Sequence, residues 1–168
     1  MNELYCDGGV ININPSPVGG TWAFRILSDG EVMEEASGII TPEQAKTEMV
    51  TNNLTEMLAL VRGIQRLPNT WTGAIYSDSQ ITLGRAFMGW KWTGIPKWLY
   101  EDFGRAVKAL RNWEQIRYVL LSGHPTKAQL VLGTGKGGRP VSEHNVWCDH
   151  ECGRRAKGFM EVINGTNT

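Results

Sequence analysis

Apolar residues recur at two different periods along this chain, and the change of period marks its elements. Residues 4–10, Leu-Tyr-Cys-Asp-Gly-Gly-Val, form an apolar run broken by one acid and two glycines and read as a strand. A loop rich in proline and glycine follows at 12–20. Trp22, Phe24 and Ile26 then alternate on one face, Ser28-Asp29-Gly30 supplies a hairpin turn, and residues 31–40 return. The prediction is a three-stranded antiparallel meander. From Thr51 the period lengthens: Leu54, Met57, Leu58, Val61 and Ile64 fall on one helical face, and Leu67-Pro68 stops the helix near Arg66. Thr41-Pro42-Glu43-Gln44 has the form of a helix start, but the stretch to Val50 is polar and short.

Downstream, residues 74–77 read as a short strand, 81–88 as a short helix capped by Ser79 or Asp78, and 97–111 as an amphipathic helix. A further strand is expected at 116–121 and a last helix at 142–157. Between them, 123–140 turns abruptly to Gly, Lys, Thr and Arg and reads as a mobile loop. One domain over residues 1–158 is the natural division, with 159–168 expected to fray.

Composition narrows the function. A chain of 168 residues should bury roughly 68–70% of the surface its unfolded form exposes, so it needs no staples. Its 17 basic and 17 acidic residues balance, so any contact with a polyanion must be local. The three cysteines cannot all pair, and no basic-then-apolar leader or span of about 20 apolar residues is present. The expectation is a cytoplasmic monomer with reduced thiols and no membrane association.

Four acids stand in contexts that suggest chemistry. Asp7 interrupts an apolar strand, where an unpaired charge costs several kcal/mol, so it either caps the glycine turn or binds a cation. Glu56 shares a helical stripe with Leu60 and Gly63, beside Ala59; small residues there let the helix press on a sheet and carry the carboxylate down among the strands. Asp78 lies where a strand hands over to a helix, the edge at which open α/β folds place ligands, or serves as a plain N-cap. Asp149 lies in the last helix.

The order of these pieces, Tyr5-Cys6-Asp7-Gly8-Gly9, Asn14-Pro15, Thr51-Asn52-Asn53-Leu54-Thr55-Glu56-Met57, Tyr76-Ser77-Asp78-Ser79-Gln80, Ser122-Gly123-His124 and Asn145-Val146-Trp147-Cys148-Asp149, resembles ribonuclease H of type 1 over nearly the whole chain. The resemblance implies an α/β single-domain ribonuclease H-like fold: a five-stranded mixed sheet, three antiparallel strands followed by two parallel ones, with helices on both faces. It implies a metal-dependent endonuclease that hydrolyses the RNA strand of RNA–DNA hybrids, leaving 5′-phosphate and 3′-hydroxyl ends. Asp7, Glu56, Asp78 and Asp149 would hold two Mg²⁺ ions, or Mn²⁺. Gathered carboxylates stay ionised only when cations neutralise them, and an all-oxygen donor set suits magnesium. His124 matches the family's mobile histidine, although the stretch to Asp149 is longer than in familiar bacterial members and makes His144 a rival. Asn14, Asn52, Asn53 and Gln80 match minor-groove contacts to the RNA strand. Thr51 matches a DNA-phosphate contact whose usual basic neighbour falls here at Met49. The lysine-rich insertion of several bacterial members is replaced by residues 89–96, so Lys127, Lys136 and Arg139 are expected to supply part of the electrostatic grip.

Two other readings keep the fold and change the function: a catalytically silent hybrid-binding module, and a two-metal nuclease for branched DNA or double-stranded RNA. Gly133-Thr134-Gly135-Lys136-Gly137-Gly138 matches a nucleotide-cradle pattern but lacks a helix directly behind it. Cys148, Cys152, His144 and His150 offer zinc-ligand chemistry at a spacing that fits no common finger. Trp90 or Trp92 is the tryptophan best placed to touch a DNA backbone; Trp22, Trp98 and Trp147 read as core.

Overall fold

The computed structural model describes residues 1–165. The meander is present as β1 (Asn2–Val10), β2 (Gly20–Ser28) and β3 (Glu31–Ile40), and β4 (Ala74–Ser77) and β5 (Arg117–Leu120) complete one sheet in the order β3-β2-β1-β4-β5. β1–β2 and β2–β3 pair antiparallel, β1–β4 and β4–β5 parallel. The five-stranded mixed sheet expected from the sequence is therefore present.

Among the described residues six α-helices connect and cover it: α1 (Pro42–Ala45), α2 (Asn52–Gln65), α3 (Gln80–Phe87), α4 (Lys97–Lys108), α5 (Lys127–Leu132) and α6 (Glu143–Ile163). The polar Thr41 segment makes only one helical turn, closed by a capping box between Thr41 and Gln44 and ended by left-handed Lys46. Thr51 caps α2 and Ser79 caps α3, each accepting a backbone N–H three residues on.

Alternation along β1 divides the core. Leu4 and Cys6 face α2, packing with Phe24, Ile26, Leu54, Met57, Leu58 and Val61. Tyr5 faces α6, packing with Ala23, Leu27, Cys148 and Cys152. Close approach on the α2 face requires glycine: a Cβ at Gly8 would lie 2.4 Å from the Thr55 carbonyl carbon, and one at Gly63 would lie 2.7 Å from Leu4 Cδ1.

Two expectations need correction. The stretch 123–140 is not wholly a loop: it contains α5, with a Thr126–Gln129 capping box, and a 3₁₀ turn at Lys136–Gly138. Capping at Thr126 and the αL glycine at Gly133 define a helix that the glycine-rich composition hid. The last helix runs on to Ile163, so residues 159–163 are helical where fraying was expected; residues 166–168 of that tail lie outside the described residues. Phe159 and Met160 stay partly buried, and Asn12 reaches Met160 Sδ at 3.9 Å, which gives the last turns something to pack on. Among the described residues no helix is long and apolar enough to cross a membrane.

Candidate active site

β1 and β4 pair only through Glu3↔Ala74, Leu4↔Ile75 and Tyr5↔Tyr76, and beyond that last pair they part. Asp7 and Asp78 each lie two residues past it, Asp7 inside β1 and Asp78 just beyond the end of β4, where the two parallel strands no longer pair and leave a gap. Into the same gap α2 brings Glu56, because Gly8 lets its first turns sit directly on β1. One carboxylate oxygen each from Asp7, Glu56 and Asp78 lies within 4.8 Å of the others.

These acids open onto a cleft of about 450 Å³ lined also by Gly8, Gly9, Asn52, Ser79, Gly123, His124 and Asp149. All four acids identified in the sequence therefore share one cavity. Asp149 stands outside the tight trio and is more open, its side chain 41% exposed, with His124 Nδ1 at 3.5 Å from its Oδ2.

The trio is electrostatically frustrated. Burial pushes the carboxyl groups of Asp7 and Glu56 well above the usual range. For Asp7 the nearby charges of Asp78 and Asp149 add to the effect, and for Glu56 those of Asp7 and Asp78 do. Asp78 is also raised, first by burial, with Asp149 adding; a hydrogen bond from Asn145 and the proximity of His124 oppose the rise. Glu56 Oε2 is buried without a hydrogen-bond partner. A hard divalent cation answers both features, since it supplies positive charge and takes the orphaned oxygen as a ligand. The donor set, carboxylate oxygens without thiolate or imidazole, fits such an ion.

Asn145, which the sequence placed only within a motif, proves to be a structural partner of the site. It is 2% exposed and donates from Nδ2 to Asp78 Oδ2 at 3.2 Å. Its position four residues before Asp149 on the same helix was the available signal. Gly123 is the other unforeseen contributor: a Cβ there would lie 2.7 Å from Asp78 Oδ2.

The remaining candidates fall into three groups. Asn52 lines the cleft, its backbone N–H donating to Asn14 Oδ1 at 3.0 Å; Asn53 and Gln80 are exposed at the starts of α2 and α3; the Thr51 hydroxyl is engaged as the α2 cap. Lys127, Lys136 and Arg139 are exposed on the α5 segment and do not line the cleft. His144 lies apart from the acids, its Nδ1 3.2 Å from Arg25 and its ring tilted on Tyr5. Of the two histidine rivals, His124 is the one beside the acids.

The set-aside motifs have structural uses. Cys148 and Cys152 are buried, their thiols directed at the Tyr5 and Asp7 carbonyls, and the acid trio is the only cluster of three possible metal ligands among the described residues. Behind the glycine-rich turn at 133–138 the chain does not enter a helix until Glu143. Trp90 lies over Gly84, and Trp92 packs against Tyr100 and Phe103, while Arg85 ties their connector down through the Lys91 and Thr93 carbonyls.

Comparison with known proteins agrees with this geometry. The sequence model of the RNase H family matches residues 2–157. A ribonuclease H of Campylobacter curvus is 25% identical over 158 residues, covering 94% of this chain and 93% of that protein. One of Syntrophus aciditrophicus is 32% identical over 130 residues, covering 72% and 69% respectively. Among solved structures, the N-terminal RNase H domain of Mycobacterium tuberculosis Rv2228c superposes with a TM-score of 0.66 at 17% identity, covering 96% of this chain and 97% of that one. LC11-RNase H1, solved in complex with an RNA/DNA hybrid, gives 0.63 at 17% identity, covering 95% and 99%. At that identity the structural likeness speaks for the fold alone.

Proposed function

The chain belongs to the RNase H family, and from that premise we propose that it is a metal-dependent endonuclease that cuts the RNA strand of RNA–DNA hybrids and leaves 5′-phosphate and 3′-hydroxyl ends. The observation that carries the reading is the meeting of Asp7, Glu56 and Asp78 within 4.8 Å in a cleft whose rim holds Asp149 and His124.

Asp7, Glu56 and Asp78, with Asp149 at the rim, would hold two Mg²⁺ ions. When bound, such ions activate the attacking water and stabilise the charge that develops on the leaving oxygen. The protein's own part is to keep these carboxylates fixed and ready to ionise. Asn145 does this for Asp78, since its donated hydrogen bond favours the charged form and selects one orientation of the carboxylate. His124, exposed and beside Asp149, is placed to carry a proton to the departing 3′ oxygen or away from the attacking water. Asn52, which lines the cleft, together with Asn14, Asn53 and Gln80, would offer the RNA strand amides, each both donor and acceptor. A ribose 2′-hydroxyl offers the matching pair, and it is the group that separates RNA from DNA.

The test is cleavage of four matched duplexes, RNA–DNA, DNA–DNA, RNA–RNA and a hybrid with one ribonucleotide, each with magnesium and with EDTA. Cutting confined to hybrid RNA, dependent on the metal and abolished by Asp78→Asn with the fold retained, is expected. Cutting of DNA–DNA or RNA–RNA at a comparable rate would overturn the substrate assignment.

A further inference from the structure

The segment from His124 to Pro140 has a rigid stem and an unsupported tip. In the stem, the Ser122 N–H donates to the Pro140 carbonyl at 2.9 Å, the Ser122 hydroxyl accepts from the Lys136 N–H at 3.1 Å, and the Gly135 N–H donates to the Arg139 carbonyl at 2.8 Å. A Cβ at Gly135 would come within 2.6 Å of Ser122 Oγ and 2.8 Å of Val141 Cγ1, so the stem sits on Ser122 without a gap. Ser122 is buried, and its neighbour Gly123 abuts the Asp78 carboxylate. The stem is thus fastened to the wall of the acid cleft.

The outer half behaves differently. α5 lies between two left-handed residues, His124 at φ 47° and Gly133 at φ 80°, and buries none of its side chains. Val131 is 88% exposed and Leu132 75%, the most exposed large apolar side chains among the described residues. A helix of one and a half turns is marginal on its own in water, and adjacent bare apolar side chains on it mark a surface for a contact to cover. Charge indicates which contact. Residues 123–141 carry Lys127, Lys136 and Arg139 and no Asp or Glu, in a chain whose 17 basic and 17 acidic residues balance only as a whole. Gly123 and His124, at the root of this basic excursion, line the cleft itself.

We propose that α5 is a clasp for the nucleic-acid duplex held in the cleft. Val131 and Leu132 pack on the sugar edges of the duplex, and Lys127, Lys136 and Arg139 pair with its phosphates. The contact is continuous with the acid site, because the stem is hydrogen-bonded to Ser122, whose neighbour Gly123 lines the cleft and abuts Asp78. This inference rests on the hybrid-nuclease reading for the identity of the duplex, and it adds an apolar contact that electrostatic grip alone does not include.

Two measurements on the full chain test it. First, the KM for hybrid cleavage is followed against salt in Val131→Ser/Leu132→Ser and in Lys127→Ala/Lys136→Ala/Arg139→Ala. The apolar pair should raise KM about tenfold, the factor that corresponds to about 1.4 kcal/mol, with the salt slope unchanged. The basic triple should flatten the slope by about 0.9 for each phosphate left without its cation. Second, hydrogen exchange of residues 126–133 is compared with and without a labelled hybrid in EDTA, where no cleavage is needed; the duplex should slow it. Unchanged KM in the serine pair together with unchanged exchange overturns the clasp while leaving the nuclease reading intact. A tip that is instead protected by a protein and not by the duplex also overturns it. Slowed exchange in a wild-type protein that cuts no hybrid would remove the nuclease reading and keep the clasp.

Discussion

Glu56→Gln should stabilise the metal-free protein, and the size of the effect follows from the site. Glu56 is 5% exposed, and its carboxylate lies within 4.8 Å of those of Asp7 and Asp78. At an effective dielectric constant of about 20, two unit charges that close repel by about 3 kcal/mol. Three such pairs together rival the whole stability of a domain, about 5–15 kcal/mol. Without a cation Glu56 escapes by holding its proton, which is the sense of its raised pKa. Holding a proton at pH 7 against the usual value of 4.5 costs about 1.36 kcal/mol per pH unit, so the penalty is capped near about 3 kcal/mol.

The sign is fixed by linkage. Above pH 4.5 the unfolded chain releases a proton that the native state keeps, so wild-type stability falls as pH rises from 4.5 toward the elevated native pKa, and levels off above it. Glutamine has no proton to keep. In EDTA the variant should therefore melt level with wild type near pH 4 and higher at pH 7, by up to roughly 6–12 °C for a domain of this size. Circular dichroism melts from pH 4 to 8 measure it. Magnesium should then raise the wild-type melting temperature and raise that of Glu56→Gln much less, while the variant loses cleavage. A variant less stable than wild type at pH 7 in EDTA, or a difference that does not change with pH, would refute the frustrated-carboxylate argument.

Three further outcomes are expected. Asn145→Ala removes the donor to Asp78 and should slow cleavage about 10- to 100-fold, the range for a hydrogen bond to a charged group; because that bond holds the Asp78 pKa down, the acid limb of the pH–rate profile should move to higher pH. Gly8→Ala places a Cβ 2.4 Å from the Thr55 backbone and should destabilise by about 3 kcal/mol with loss of cleavage, whereas Gly158→Ala, in open space on α6, should stabilise by about 0.5–1 kcal/mol; thermal melts separate the two. His124→Ala should lower turnover by about 100-fold or more, whereas His144→Phe, which keeps a ring against Tyr5, should leave it within a few-fold.

Three close-packed glycines explain why the site needs so little sequence to define it. Gly8, Gly63 and Gly123 each remove a side chain where a helix, a strand or a carboxylate must approach within van der Waals contact. The acids can then be far apart in the chain and still meet, because the backbone elements that carry them are nearly touching. That closeness is also the source of the electrostatic strain which a cation would relieve.

Local pattern was enough for the elements with a strong period. The alternation of Trp22, Phe24 and Ile26 and the helical face from Leu54 to Ile64 appear in the structure as they read in the sequence, because each encodes burial on one side of one element. The four acids were legible for a related reason: a charge set among apolar residues needs a partner wherever the chain folds. Tertiary structure decided everything that depends on what lies opposite. It placed His124 beside Asp149 and turned His144 toward Arg25, a choice that no spacing along α6 contains. It also made Asn145 the partner of Asp78, whereas α5 is fixed by local signals, the Thr126–Gln129 capping box and the Gly133 stop, which the glycine-rich surroundings masked. Periodicity records which side of an element is dry, whereas the identity of a side chain's neighbour is set by the packing of elements distant in the chain, and that packing exists only in the folded molecule.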